Sequence, residues 1–202
     1  MDDDILAGYA DEADALVRQY EGVCFLEVHG PALSLMPTAP GRVLDVGAGT
    51  GRDAAALAAM GHHVVAVEPT AELRTRAAAL HPSSRIEWVD DRLPALRVLA
   101  ARRRQFDLVI LSAVWMHLDV QEREQAMPTV AGLLRPGGVM LLSLRHGPSP
   151  ARRRVFPVSA DETILLAKAV GLNVAMRLED QADPFGRAEV TWTRLGLVRA
   201  RA

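Results

Sequence analysis

The chain has 202 residues, half of them apolar, with 25 acidic side chains against 23 basic ones. That length suits one hydrophobic core rather than two full domains, and the near-zero net charge disfavours a dedicated binder of polyanions or membrane surfaces. A single cysteine, Cys24, excludes an internal disulfide and a cysteine-rich zinc site. It fits a reducing compartment, and Cys24 is expected to be core filler.

The start Met1-Asp2-Asp3-Asp4 is acidic where a secretory signal is basic, so a cytoplasmic protein is expected. Asp11 to Tyr20 and Phe25 to Met36 read as two helices, the second interrupted by Gly30-Pro31, and Pro37 and Pro40 form the join to the first strand. From residue 42 short β-branched runs alternate with alanine- and leucine-rich segments, the pattern of a parallel sheet with helical crossovers. Strands are expected at Arg42 to Val46, His63 to Glu68, Arg85 to Val89, Phe106 to Ser112 and Val139 to Leu144. Helices are expected at Arg52 to Met60, Ala71 to Leu80, Leu93 to Arg104 and Val120 to Leu134. The longest apolar stretch, Leu108 to Leu118, contains Ser112 and His117 and is shorter than the roughly 20 residues that cross a bilayer. A Pro- and Arg-rich loop, His146 to Pro157, precedes Ser159, which with Glu162 predicts a capping box for a helix to Ala169, ended by Gly171. Leu172 to Leu178 and Glu189 to Val198 flank Asp183-Pro184-Phe185-Gly186 and read as an antiparallel hairpin. The expected fold is α/β: a doubly wound, seven-stranded mixed sheet of five parallel strands plus that hairpin, with helices on both faces. One domain is expected over residues 1–202, a helical cap at 1–40 and a ligand-binding core at 41–202.

The stretch Asp45-Val46-Gly47-Ala48-Gly49-Thr50-Gly51-Arg52-Asp53 carries the chemistry. Glycines remove Cβ atoms where a strand turns sharply into a helix, and the helix start aims free N–H groups at an anionic ligand group. Seventeen residues past Gly51, Glu68 ends the second strand, where a carboxylate can accept both hydrogen bonds of a ribose diol. A nucleoside-containing ligand is implied. A dinucleotide fingerprint beginning at Gly47 needs its third glycine at position 52, which is Arg52, so a nicotinamide cofactor is disfavoured.

This constellation resembles the class I S-adenosylmethionine-dependent methyltransferases. The resemblance continues through Asp90 and Asp91 after the third strand, Phe106-Asp107-Leu108-Val109 in the fourth, Leu134-Arg135-Pro136-Gly137-Gly138 before the fifth, and the terminal hairpin. It implies a Rossmann-like fold, S-adenosylmethionine as cofactor and S-adenosylhomocysteine as product. It places Asp45 and the Gly47, Ala48, Gly49, Gly51 loop beside the methionine part, Glu68 on the ribose, and Asp90 or Asp91 on the adenine amine. Arg52 and Asp53 either pair with the methionine carboxylate and amine or complement the helix dipole. Asp91 has helix capping before Leu93 as its alternative role.

Ligands in such sheets bind beyond the carboxyl ends of the strands at the switch in strand order, here between the first and fourth strands. Ser112 and Val114 should therefore flank the cofactor, with Trp115, His117, Arg145 and His146 around the acceptor. His117 is the candidate catalytic base, with a place in the pocket wall as its alternative. His29 and His146 are further candidates, and His62, His63 and His81 read as solvated loop residues. No metal is required. An Asn-Pro-Pro-Tyr motif is absent at Ser112 to Trp115, which argues against DNA base methylation. The runs Arg102-Arg103-Arg104 and Arg152-Arg153-Arg154 read as solvated faces. The expected partner is a small-molecule acceptor, without nucleic acid or membrane. A non-catalytic S-adenosylmethionine sensor is the alternative.

Overall fold

The computed structural model describes residues 3–150 and 152–201; Met1 and Asp2 of the acidic start lie outside them. Three helices, α1 (Asp3–Asp11), α2 (Ala13–Tyr20) and α3 (Phe25–His29), precede the sheet, and a 3-10 segment at Gly30–Leu35 prolongs α3. The parallel strands are β1 (Arg42–Val46), β2 (His63–Val67), β3 (Ile86–Val89), β4 (Phe106–Leu111) and β5 (Leu134–His146). Their crossovers carry α4 (Arg52–Ala59), α5 (Ala71–Leu80), α6 (Arg97–Arg102) and α7 (Val120–Leu133). Then come α8 (Ala160–Ala169) and the hairpin β6 (Leu172–Ala182) and β7 (Thr191–Arg199). The strand order is β3-β2-β1-β4-β5-β7-β6, with β7 antiparallel to both its neighbours.

The alternation of side chains on these strands builds two cores. Leu44, Val46, Val109 and Leu111 face Leu99 of α6, Met127 and Val130 of α7 and Ile164 of α8. Val43, Ala66, Leu108 and Ile110 face Leu57 of α4 and Phe25 of α3. Each fully buried leucine or valine contributes about 1.5–3 kcal/mol. The crossover reverses between β1 and β4, so the loops after these two strands diverge and open a cleft there.

The five parallel strands and the hairpin stand where the sequence places them, with differences at their ends. The helix α1 was not anticipated: it contains Gly8, a poor helix former, retained because a Cβ there would lie 2.3 Å from the Arg152 carbonyl oxygen. The expected Leu93 to Arg104 helix is cut to α6, since Leu93 before Pro94 is disfavoured from helical geometry. Ser159 caps α8 by accepting from Glu162 N at 3.1 Å, yet the Glu162 carboxylate turns away to buried Arg123 at 2.8 Å, so the capping box is not completed.

Three side-chain expectations fail. Cys24 is exposed, not core filler, because it stands at the start of α3, its N–H donating to Glu27 Oε2 at 2.6 Å. His62 is buried, its Nδ1 accepting from Gly41 N at 3.1 Å, and His81 is half-buried with Nε2 3.3 Å from Glu21 Oε2. Arg153 is not on a solvated face: it inserts between α1 and α2, pairing with Glu12 at 3.1 Å and donating to Tyr20 Oη at 3.0 Å.

Candidate active site

The cleft opens to solvent at one side. One end is the turn from β1 into α4. Gly47 has φ +73°, and a Cβ on it would lie 2.4 Å from Val114 Cγ2, so the loop after β4 packs on bare backbone. Gly49 has φ +58°, and a Cβ there would meet nothing nearer than 4.0 Å, so it would project into open space on the lined wall.

Glu68 stands across this loop and is 5% exposed. Its Oε2 accepts from Gly49 N and its Oε1 from Thr70 N, both at 2.8 Å. Burial raises its pKa, opposed by the two backbone N–H groups. Each oxygen keeps a further lone pair, so the carboxylate is fixed in place and can still accept two hydroxyl hydrogens from a ligand. Asp45 is buried with Oδ2 unpartnered, and burial together with the Asp53 charge pushes its pKa well up. An orphaned, buried acceptor of this kind is costly unless a ligand donor meets it. A ligand ammonium would relieve both the orphaned atom and the shift.

Arg52 and Asp53 form a buried cluster with His29, which sequence spacing did not connect. Asp53 Oδ2 meets His29 Nε2 at 2.7 Å, and Oδ1 accepts from Arg52 Nε at 2.8 Å. Burial would raise the Asp53 pKa, but the His29 and Arg52 partners outweigh it and hold it below the ordinary range. Thr50 donates to Glu21 Oε1 at 2.6 Å, tying the end of α2 to the glycine loop. His29 thus supports the loop from behind.

At the other end, Ser112, Val114 and His117 line the cleft, joined by Tyr9 of α1 and Arg145 of β5. His117 Nδ1 lies 2.8 Å from the Arg154 carbonyl, which can only accept, so Nδ1 carries the proton. Nε2 is then the acceptor for Tyr9 Oη at 2.9 Å. Burial lowers the His117 pKa, and the Arg153 and Arg145 charges add to it, so the ring is neutral near pH 7. Burial raises the Tyr9 pKa strongly. The pair is a neutral Tyr–His hydrogen bond facing the cleft, able to move one proton without stranding a charge on the tyrosine.

The remaining expected residues fall elsewhere. Trp115 is wholly buried in the core behind the cleft, and His146 bonds Thr193 Oγ1 at 2.8 Å outside the lining. Asp90 is exposed and pairs with Arg74 at 3.0 Å. Asp91 is buried, accepting from Arg92 N at 2.9 Å and from Leu99 N of α6 at 3.0 Å, but no helix begins at Leu93 for it to cap, since α6 begins at Arg97 behind Leu96. Neither carboxylate lines the cleft. Tyr9, Arg153 and Arg194, which do line it, escaped sequence reading. They come from the unanticipated helix, the Arg-rich loop and the last strand, far apart in the chain and joined only by the fold.

A family model described as a methyltransferase domain matches residues 43–138. Over 105 residues the chain is 36% identical to an uncharacterized methyltransferase of Mycobacterium tuberculosis, covering 52% of this chain and 40% of that protein. Over 109 residues it is 35% identical to a ubiquinone biosynthesis O-methyltransferase of Xylella fastidiosa, covering 54% and 43%. The chain therefore spans less than half the length of these curated relatives. The glycopeptide N-methyltransferase MtfA, solved with S-adenosylmethionine, superposes with a TM-score of 0.67 at 18% identity, covering 88% of this chain and 95% of that one. The 1,6-didemethyltoxoflavin-N1-methyltransferase of Burkholderia thailandensis, solved with its acceptor and S-adenosylhomocysteine, gives 0.64 at 20% identity, covering 95% and 88%. At these identities the two structures share the fold.

Proposed function

We propose that this chain, whose residues 43–138 match a methyltransferase domain, is a class I S-adenosylmethionine-dependent methyltransferase that transfers the methyl group of S-adenosylmethionine to a small-molecule acceptor. The observation that carries the reading is the pairing of a pre-fixed Glu68 carboxylate with the orphaned Asp45 Oδ2 across the bare Gly49 backbone. Glu68 accepts the ribose hydroxyls, and Asp45 receives the methionine ammonium. The Gly47, Ala48 and Gly49 backbone cradles the chain between them, Gly51, where a Cβ would lie 2.7 Å from Trp88, makes the turn outside the cleft lining, and Arg52 and Asp53 hold the start of α4 in place. Pro69 and Leu73 offer an apolar wall for the base. The bound cofactor supplies an electrophilic methyl group on a sulfonium.

The protein's part is to hold the acceptor in line with that group and exclude water, which supplies much of the acceleration. Ser112 and Val114 flank the cofactor, and α1, α2 and the 146–157 loop close over the acceptor as a cap. Where the acceptor must lose a proton, Tyr9 Oη receives it as its own proton passes to His117 Nε2, leaving an imidazolium bonded to the Arg154 carbonyl. Among the described residues no helix is long and apolar enough to cross a membrane and no cluster suits a metal ion. We place the enzyme in a reducing cytoplasm, a reading supported by its lone, unpaired Cys24.

The test is to incubate the protein with S-adenosylmethionine and pooled cell metabolites and measure S-adenosylhomocysteine. The expected result is product that depends on the metabolites. Binding of the cofactor with no product from any pool would make the chain a sensor instead.

A further inference from the structure

The acceptor end of the cleft is built from cations and rings. Arg145 on β5 sits opposite Trp192 on β7, and both line the cleft. Tyr20 and Phe185 face each other at 5.7 Å between ring centres. Arg153 lies 4.8 Å over the Tyr9 ring. Two nearby acids are already engaged, and Glu189 is exposed. Asp183 takes both Arg187 Nε and Nη2 at 2.8 Å and Trp192 Nε1 at 2.9 Å, while Glu12 pairs with Arg153.

Arg145 is different. Among the described residues no carboxylate forms an ion pair with it; Nη1 donates to the Pro148 carbonyl at 2.8 Å, and its buried Nε has no partner. The Arg153 Nε is likewise buried and unpartnered. A buried guanidinium N–H left without an acceptor is destabilising, and the planar fork of arginine matches a carboxylate. Burial and the Arg187 and Arg153 charges press the Arg145 pKa down, with Asp183 and Glu189 opposing, as expected for a cation short of counter-charge.

We propose that this end of the cleft is a subsite for an aromatic ring bearing an anionic group, with Arg145 and Arg153 on the anion and Tyr20, Phe185 and Trp192 around the ring. The occupant is a carboxylate-bearing aromatic acceptor. Only its description as acceptor rests on the proposed methyl transfer.

Benzoate and its uncharged isostere benzamide are the probes, titrated calorimetrically into the full chain with and without saturating S-adenosylhomocysteine. Benzoate is expected to bind at least tenfold more tightly than benzamide. Arg145→Met should abolish that preference and Arg145→Lys should retain part of it, with melting curves and S-adenosylhomocysteine titrations showing that the variants are folded. Equal affinities, no binding of either probe at tens of millimolar, or a benzoate preference that survives Arg145→Met would overturn the proposal. Failure to bind S-adenosylhomocysteine would instead overturn the cofactor reading, while the titrations without it still report on the anion subsite.

Discussion

Glu68 and His117 were both legible in the sequence as positions, one at the end of a strand and one just past another, but only the folded chain shows what each touches. The two backbone donors that hold Glu68 come from Gly49 and Thr70, and the second arises from the chain simply turning into α5. Glu68→Ala removes the proposed acceptor for two ligand hydroxyls, so S-adenosylhomocysteine affinity should fall by about 1–3 kcal/mol, read by calorimetry on a folded variant. The partner of His117 could not be foreseen, because Tyr9 lies 108 positions away on a helix the sequence pattern conceals. His117→Gln should lower turnover about 10²-fold if the ring takes the proton, with cofactor affinity preserved, once an acceptor is known. Stability gives an independent reading. Burial depresses the His117 pKa below its ordinary value of about 6.5, so the folded chain binds fewer protons there than the unfolded one. That stabilisation is complete above the unfolded value and is lost as pH falls through the lower folded one. His117→Gln should therefore show a shallower decline in Tm between about pH 7 and pH 5 than the parent chain. Parallel declines would contradict a buried, neutral ring.

At the scale of elements, β1, β2 and β4 declared themselves because each is a short, near-continuous apolar run buried on both faces. The helices at the rim did not, since their residues answer to contacts rather than to propensity. The clearest case is α1, where Gly8 lets the helix backbone approach the Arg152 carbonyl. Ion pairs extend the seam: Arg152 with Asp11 at 2.9 Å and Arg153 with Glu12 at 3.1 Å. The exposed Arg152–Asp11 pair contributes little, so the close backbone approach is the part that matters there. Gly8→Ala makes the two effects oppose each other. Helix propensity alone would stabilise the chain by about 1 kcal/mol, whereas a Cβ forced against a carbonyl should cost about 1–3 kcal/mol. We expect a net fall in Tm and faster hydrogen exchange in the 152–157 segment; a rise in Tm would show that α1 and the loop do not meet.

For the molecule as a whole, the strand order and the cleft at its switch point came from the alternation of elements, and the loop after β1 marked one end of the cleft by its glycines. The other end was readable only in part: Ser112, Val114, His117 and Arg145 were named from the sequence and line it, whereas Tyr9 of α1, Arg153 of the Arg-rich loop and Trp192 and Arg194 of β7 come from both extremes of the chain. The same assembly argues against a dinucleotide. Arg52 holds the position of the third fingerprint glycine, and its guanidinium is locked onto Asp53 beside the loop. NAD and NADP should accordingly bind far more weakly than the sulfur nucleoside.

The proposed S-adenosylmethionine site on the β1–α4 turn and Glu68 is open to direct calorimetric titration with S-adenosylhomocysteine, the unreactive product. A Gly49→Val variant is titrated in parallel, with NAD as the competitor. We expect one site per chain, loss of binding in Gly49→Val, whose side chain would fill the open space along the cleft wall, and no displacement by NAD. Absence of binding to the parent chain, or tight binding of NAD in its place, would contradict it.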